Sequence, residues 1–299
     1  MRFISQFILL LLLSAPALAD VVSDDAGAAV EFDAPFTRII SLYGAHTENL
    51  FALGLDEEIV GVSASEDFPS RALQKPQFSV RDGAKKILES NPDLILIQPN
   101  QIQPHRALWR ALERAGVRVM AFQPGNVDEM FAYWRKLGLL TGREPQAEDM
   151  TARFNEGIER ARQRTERIPA KERPDVFFES VHRKFATFAP DSIPMFVLET
   201  AGGRNIAPDA RTRIGTDVAE LGLERLLSRA EAIDVYLAQH GPMNEIDVRK
   251  IKRGPAASRI KAVTESAVFL VDERIVSRPT MRLLLGVDTV FRLLHPDFQ

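Results

Sequence analysis

Polar and ionisable side chains gather in this chain just downstream of short apolar runs, the place where parallel α/β sheets present groups to a ligand. Tyr43 and His46 follow Arg38-Ile39-Ile40-Ser41-Leu42, Glu66 and Asp67 follow Ile59-Val60-Gly61-Val62-Ser63, and Gln98, Asn100 and Gln101 follow Leu94-Ile95-Leu96-Ile97. Further on, His182 and Arg183 follow Val176-Phe177-Phe178-Glu179, while Gln239 and His240 follow Ile233-Asp234-Val235-Tyr236-Leu237. Arg278 sits in a loop before Pro279. This is chemistry of recognition. A tyrosine can stack on a macrocycle or ligate iron, an imidazole can ligate a metal, and the guanidinium forks of Arg183 and Arg278 suit carboxylate or phosphate oxygens. Plainer roles stand beside these: His46 as the surface opening of a helix, Arg183 in a surface ion pair, Arg278 solvated.

Reaction chemistry has no comparable signature. The chain has no Gly-x-Ser-x-Gly elbow, no His-Glu-x-x-His pair, no Gly-x-x-x-x-Gly-Lys loop and no cysteine. A binding protein is expected, not an enzyme, and no cofactor is called for. A bare zinc or manganese ion needs three or four clustered ligands. The five histidines (46, 105, 182, 240 and 295) are widely spaced, so only His46, His182 and His240 converging across a cleft would make such a site.

The elements that must hold these groups alternate between short apolar strands and amphipathic helices, the pattern of parallel sheets covered by helices. Strands at 38–42, 59–63, 94–97 and 117–122, with helices at 46–53 and 103–115, make one α/β lobe ending near residue 125. Strands at 176–179, 233–237 and 268–271, with helices near 193–201, 221–229 and 280–294, make a second. Ala84-Lys85-Lys86-Ile87-Leu88 before the 94–97 strand is echoed by Leu223-Glu224-Arg225-Leu226-Leu227 before the 233–237 strand. Between the lobes a helix over 127–140 breaks at Thr141-Gly142, and Pro145 opens a longer one. Ala147, Met150, Phe154, Ile158 and Ala161 recur every three or four residues, predicting a helix to about Arg167. Such a rod between two lobes limits large closing motions.

The leader fixes an address. Arg2, the apolar run 7–13 and Ala17-Leu18-Ala19 have the form of a signal peptide cut after Ala19. The run is too short for a resident span. Without cysteine there is neither a lipid-anchoring thiol nor a disulfide. A periplasmic protein, exported and not a lipoprotein, is expected. The net charge of −3 gives no sign of a nucleic-acid or membrane partner.

Taken in order, the 38–42 strand with His46-Thr47-Glu48-Asn49-Leu50-Phe51-Ala52-Leu53-Gly54, Ile59-Val60-Gly61-Val62, Asn91-Pro92-Asp93-Leu94-Ile95-Leu96, Leu198-Glu199-Thr200-Ala201-Gly202-Gly203-Arg204-Asn205-Ile206-Ala207, Val268-Phe269-Leu270-Val271 and the closing helix to His295-Pro296 carry a resemblance. The chain closely resembles the periplasmic substrate-binding proteins of ABC importers for metal chelates, the helix-bridged class that carries cobalamin, ferric siderophores and haem. That resemblance implies an α/β fold of two Rossmann-like lobes joined by a single long bridging α-helix, with the ligand in the cleft between them. It divides the chain into a signal peptide (1–19), an N-terminal lobe (20–126), connecting helices (127–168) and a C-terminal lobe (169–299). The expected ligand set is Tyr43, His46, Gln98, Asn100, Gln101, His182, Arg183, Gln239 and Arg278, with the two arginines favouring an anionic cargo. A ferric siderophore or another metal chelate is the first choice, then cobalamin, then haem. The resemblance also implies a monomer docking on an ABC permease dimer of the inner membrane through an acidic residue on each lobe. Glu224 matches in the second lobe, but Lys85 stands at the first-lobe position, leaving Asp82 or Glu89 as substitutes. A periplasmic sensor presenting its ligand to a receptor shares every one of these features except the docking acid.

Overall fold

A computed structural model of the chain describes residues 20–212 and 216–298. The expected leader and its cut after Ala19 lie outside the described residues. The described chain starts with a hairpin, β1 (Asp20–Ser23) and β2 (Ala29–Phe32). The Asp24 carboxylate ties down its turn by accepting the amides of Ala26, Ala28 and Ala121.

Five parallel strands form the first sheet: β3 (Ile39–Ser41), β4 (Ile59–Ser63), β5 (Gln77–Phe78), β6 (Leu94–Ile97) and β7 (Arg118–Ala121), in the order β5-β4-β3-β6-β7. Their apolar runs are unbroken because both faces are covered, and alternate residues point to opposite sides. Ile39, Leu94 and Leu96 pack on the side of Leu50 from α1 (Gly44–Ala52). Ile40, Ile95 and Ile97 pack on Ile87 of α2 (Ala84–Leu88) and on Trp109 and Leu112 of α3 (Arg106–Arg114). The strand order reverses between β3 and β6, which opens a crevice at their carboxyl ends.

Two helices follow. Asn126 caps α4 (Val127–Thr141) by accepting the Glu129 amide at 2.9 Å, and Gly142 ends it at φ 64°. The second, α5 (Glu144–Glu166), has Pro145 in its first turn and buries Ala147, Met150, Phe154 and Ile158 as the periodicity requires. Its 23 residues span about 34 Å at 1.5 Å each. This rod does not stand free. Gly138 lets α4 and α5 close on each other, since a Cβ there would lie 2.9 Å from that of Ala147.

Beyond α5 come β8 (Asp175–Glu179), β9 (Ala186–Phe188), α6 (Ile193–Thr200), β10 (Arg204–Asn205), β11 (Arg211–Thr212), β12 (Val218–Glu220) and α7 (Leu223–Leu227). The chain closes with β13 (Val235–His240), α8 (Val248–Lys252), α9 (Lys261–Thr264), β14 (Val268–Asp272), α10 (Glu273–Val276) and α11 (Leu283–Leu294). A second parallel sheet runs β10-β8-β13-β14. The antiparallel sheet β11-β12-β9 and the β1–β2 hairpin are not expected from the sequence, because strands of two to four residues are too short to set up a readable alternation. One apolar core runs without a break from β3 and β6 through α4, α5 and α6 to β8, β13 and α11.

On the cleft side the two halves are joined by charge. Arg278 Nη1 donates to Glu48 Oε1 at 2.9 Å and to Asp67 Oδ1 at 2.8 Å. Arg282 Nε donates to Glu48 Oε2 at 3.0 Å, and its Nη2 to Asp67 Oδ2 at 3.4 Å. Glu48 is only 4% exposed. Burial pushes its carboxyl above the usual range, and the guanidiniums of Arg282 and Arg278 pull it back. Asn49 Nδ2 and Trp134 Nε1 both donate to the Pro279 carbonyl, at 3.0 and 3.3 Å. The guanidinium reaches this place because residue 44 is glycine, where a Cβ would lie 2.6 Å from Arg278 Nη1. Arg278, expected to meet an anionic ligand, is instead neutralised by two carboxylates of the other half.

His46 is likewise turned to structure. It is 1% exposed, with Nδ1 accepting from the Tyr133 hydroxyl at 2.6 Å and Nε2 donating to the Ile97 carbonyl at 3.0 Å. Both ring nitrogens are engaged, so neither is free for a metal. Burial lowers its pKa from 6.5 to about 4.

Two outcomes follow from this seam. Arg278→Ala leaves Glu48 buried without one of its two guanidiniums and lowers unfolding free energy by about 3 kcal/mol. In a double-mutant cycle with Glu48→Gln the losses are less than additive; strict additivity in urea melts contradicts the pairing. For His46 the folded pKa lies below the unfolded one, so its contribution is complete above pH 6.5 and is lost as pH falls towards 4, about 3 kcal/mol in all. His46→Gln flattens the slope of stability against pH in that window, and an unchanged slope contradicts the buried neutral imidazole.

Candidate ligand cleft

A cavity of about 480 Å³ lies at the β3–β6 crevice and is walled by both halves of the chain. From the first half come Tyr43 after β3, Pro99 and Asn100 after β6, and Gln123 to Asn126 between β7 and α4, with Asp25 and Glu129 beside them. From the second half come Ala189 after β9, Asp191 to Ile193 at the start of α6, Thr216 and Asp217 before β12, and Ser277 and Pro279 before α11. The Ile193 amide donates to the Gly125 carbonyl at 3.2 Å, stitching the walls together. A larger hollow of about 890 Å³ shares Asn126 and Asp191 but follows the flank of α5, away from the strand ends. The smaller cavity is where strand-end geometry predicts a ligand.

Burial pushes the Tyr43 phenol up to about 12, against the pull of Arg278, so it stands at the cavity wall as a neutral hydroxyl. Burial also raises Asp217 above the usual carboxylate range. Asp25 accepts the Gln123 amide at 2.7 Å and lies 3.5 Å from Lys136 Nζ. Glu129 accepts the Gly125 amide at 2.8 Å. Stacking, hydrogen bonding and carboxylate attraction are therefore available to a ligand. Among the described residues no group of three or more His, Cys, Asp or Glu side chains is placed to hold a bare metal ion.

Of the nine expected ligand residues, the structure brings Tyr43 and Asn100 to the cavity. Gln98 stands next to the wall, while Gln101 Oε1 accepts the Gln98 amide at 2.9 Å and closes its own turn. Arg278 is held in the seam, and His46 is bound between Tyr133 and the Ile97 carbonyl. Gln239 is fully buried, donating to the Ser180 carbonyl at 3.1 Å and accepting from Ser277 Oγ at 2.8 Å. His182 Nδ1 pairs with buried Glu179 at 2.9 Å, and that bond raises its pKa. Tyr236 also donates to Glu179, and Asn244 Nδ2 does so at 3.3 Å. These bonds fill the second sheet's own crevice. Arg183 lies exposed on the following turn, outside the cavity wall.

Asp25, Gln123, Asn126, Glu129, Asp191, Ser192, Asp217 and Ser277 escaped sequence reasoning. Asn126 and Ser192 had a readable signal, since each is a capping residue type immediately before a helix that starts at a strand's carboxyl side. Asp25 and Asp217 had none, because each is placed by the short strands that carry no periodicity. On the opposite surface Glu224 and Lys85 are both exposed at the second position of α7 and α2, and Asp82 is bound to Lys86 at 2.9 Å while Glu89 is exposed.

Known proteins share the fold. An uncharacterized ABC transporter substrate-binding lipoprotein of Bacillus subtilis is 23% identical over 87% of this chain and 80% of its own. A vitamin B12-binding protein of Vibrio vulnificus is 25% identical over 86% of this chain and 89% of its own. The crystal structure of a possible iron-binding, periplasmic solute-binding protein from Staphylococcus epidermidis superposes with a TM-score of 0.73 at 26% identity, covering 88% of this chain and all of that one. A periplasmic haem-binding protein from Roseiflexus superposes at 0.70 with 23% identity, over 88% and 99%. The two-lobe, helix-bridged α/β fold is thus shared. The Bacillus relative corrects one expectation, that of a periplasmic protein that is not a lipoprotein. The cleft is built from strand ends and rims, so the same fold serves an anchored protein, and the unanchored address is withdrawn. The profile of the periplasmic binding protein family matches residues 39–275, and the chain belongs to that family.

Proposed function

We propose that the protein is a solute-binding protein that captures a metal chelate, a ferric siderophore or a related complex, in the cavity at the β3–β6 crevice and hands it to an ABC permease. The observation that carries this reading is the cavity itself, at the topological switch point of the first sheet and walled from both halves. We divide the chain accordingly into a first lobe (20–126), connecting helices (127–168) and a second lobe (169–299). Tyr43 and Asn100 contact the cargo from the first lobe, and Asp191, Ser192 and Asp217 from the second. The seam of Arg278 and Arg282 with Glu48 and Asp67 keeps the rims close to their bound positions, so capture needs a modest adjustment of loops. The protein acts as a monomer, with Glu224 and Glu89 facing the permease.

Two measurements test this. A thermal-shift screen over ferric siderophores, cobalamin and haem is expected to raise Tm for one group, since a ligand at 100 times its Kd stabilises by about 2.7 kcal/mol. Tyr43→Phe and Asn100→Ala lessen that rise, and silence across all three groups removes the cargo class. In liposomes carrying the cognate permease, Glu224→Arg is expected to reduce stimulation of ATP hydrolysis while the cargo Kd stays constant. Undiminished stimulation excludes Glu224 as a docking residue.

A further inference from the structure

The walls of the cavity carry a charge that its arginine-bearing sequence hides. Asp25, Glu129, Asp191 and Asp217 all line it, and among the described residues no lysine, arginine or histidine does. Lys136, at 3.5 Å from Asp25, offsets one of the four. Arg278 and Arg282 are matched by Glu48 and Asp67, two charges against two, and Arg274 lies between Asp67 and Asp272. A second and independent feature points to a ligand at the same wall. Ser192 lines the cavity, is 2% exposed, and its Oγ has no hydrogen-bond partner. It occupies the N-cap position of α6 yet caps nothing. A serine there ordinarily spends its oxygen on the helix, and a buried hydroxyl without a partner is destabilising. An entering donor would satisfy it.

We infer that the cleft selects a chelate of net positive charge, a ferric trihydroxamate bearing a free ammonium, over anionic chelates. This rests on the chelate-binding reading above and names its charge class. The chemistry of iron complexes narrows the choice. Three hydroxamates neutralise Fe³⁺, so a pendant ammonium leaves the complex at +1. Three catecholates leave it at −3, and haem brings two carboxylates. Either anion would be taken out of water against carboxylates, with no cation among the described wall residues to meet it. The ammonium can instead donate to Asp191, Asp217 and Ser192 Oγ in charge-assisted bonds.

The test compares two linear ferric trihydroxamates that differ only in the pendant amine, one free and one N-acetylated, by titration calorimetry on the full chain. A ferric tricatecholate is the third ligand. The free amine is expected to bind about tenfold more tightly than its acetylated form, as one hydrogen bond to a charged group would give. The gap narrows as salt rises, and it closes in Asp191→Asn/Asp217→Asn. Equal affinity of the two hydroxamates, failure of both to bind, or tighter binding of the tricatecholate overturns the inference. Tricatecholate binding would leave the chelate-binding function intact, whereas that function fails only if siderophores, cobalamin and haem are all refused.

Discussion

Four charges at one junction set the terms for the rest of the molecule. Arg278 and Arg282 come from the approach to α11, Glu48 from α1 and Asp67 from the loop after β4, so the cluster spans the two halves. Buried ion pairs of this kind contribute little net stability, because desolvation consumes most of the attraction. What they do fix is position, since any other register leaves a charge without its partner. Here the position fixed is that of Pro279 and Ser277, which wall the cavity, relative to Tyr43 on the opposite rim. The junction also withdraws two arginines from ligand binding and leaves the cavity to its carboxylates.

The architecture was legible where elements were long and apolar patterns regular. β4 falls on the run at 59–63, β8 on that at 176–179 with one residue more, and the 3.6-residue stripe of α5 and the break at Gly142 lie where the sequence places them. The helix expected at 221–229 is shorter, Leu223–Leu227, because Gly222 and the turn after Ser228 bound it. Short strands left no trace: β9, β11 and β12 together form a sheet that no alternation announced.

The cavity was half legible, for a related reason. In the first sheet the β3–β6 crevice is open, and Tyr43 and Asn100 line it. In the second sheet the corresponding crevice between β8 and β13 is filled by the chain's own hydrogen bonds among Glu179, Tyr236, His182 and Asn244. The unannounced β9–β12 sheet and α6 supply that wall instead. Arg278 shows the limit most clearly. Its fork was expected to meet the carboxylate or phosphate of a ligand, and its partners are instead Glu48 and Asp67, 230 and 211 positions away in the chain. Pairing over such distances is invisible to local pattern.

The unbroken apolar core through α4, α5 and α11 has a consequence for how the molecule comes apart. Neither half owns a complete interior, since Phe154 and Ile158 of the connecting rod belong to the same packed cluster as Leu96 on one side and Phe178 on the other. Cutting the chain within the rod would expose apolar surface on both fragments, and neither would keep its shape alone. The protein should therefore melt as one cooperative body, its two sheets failing together despite their separate strand networks.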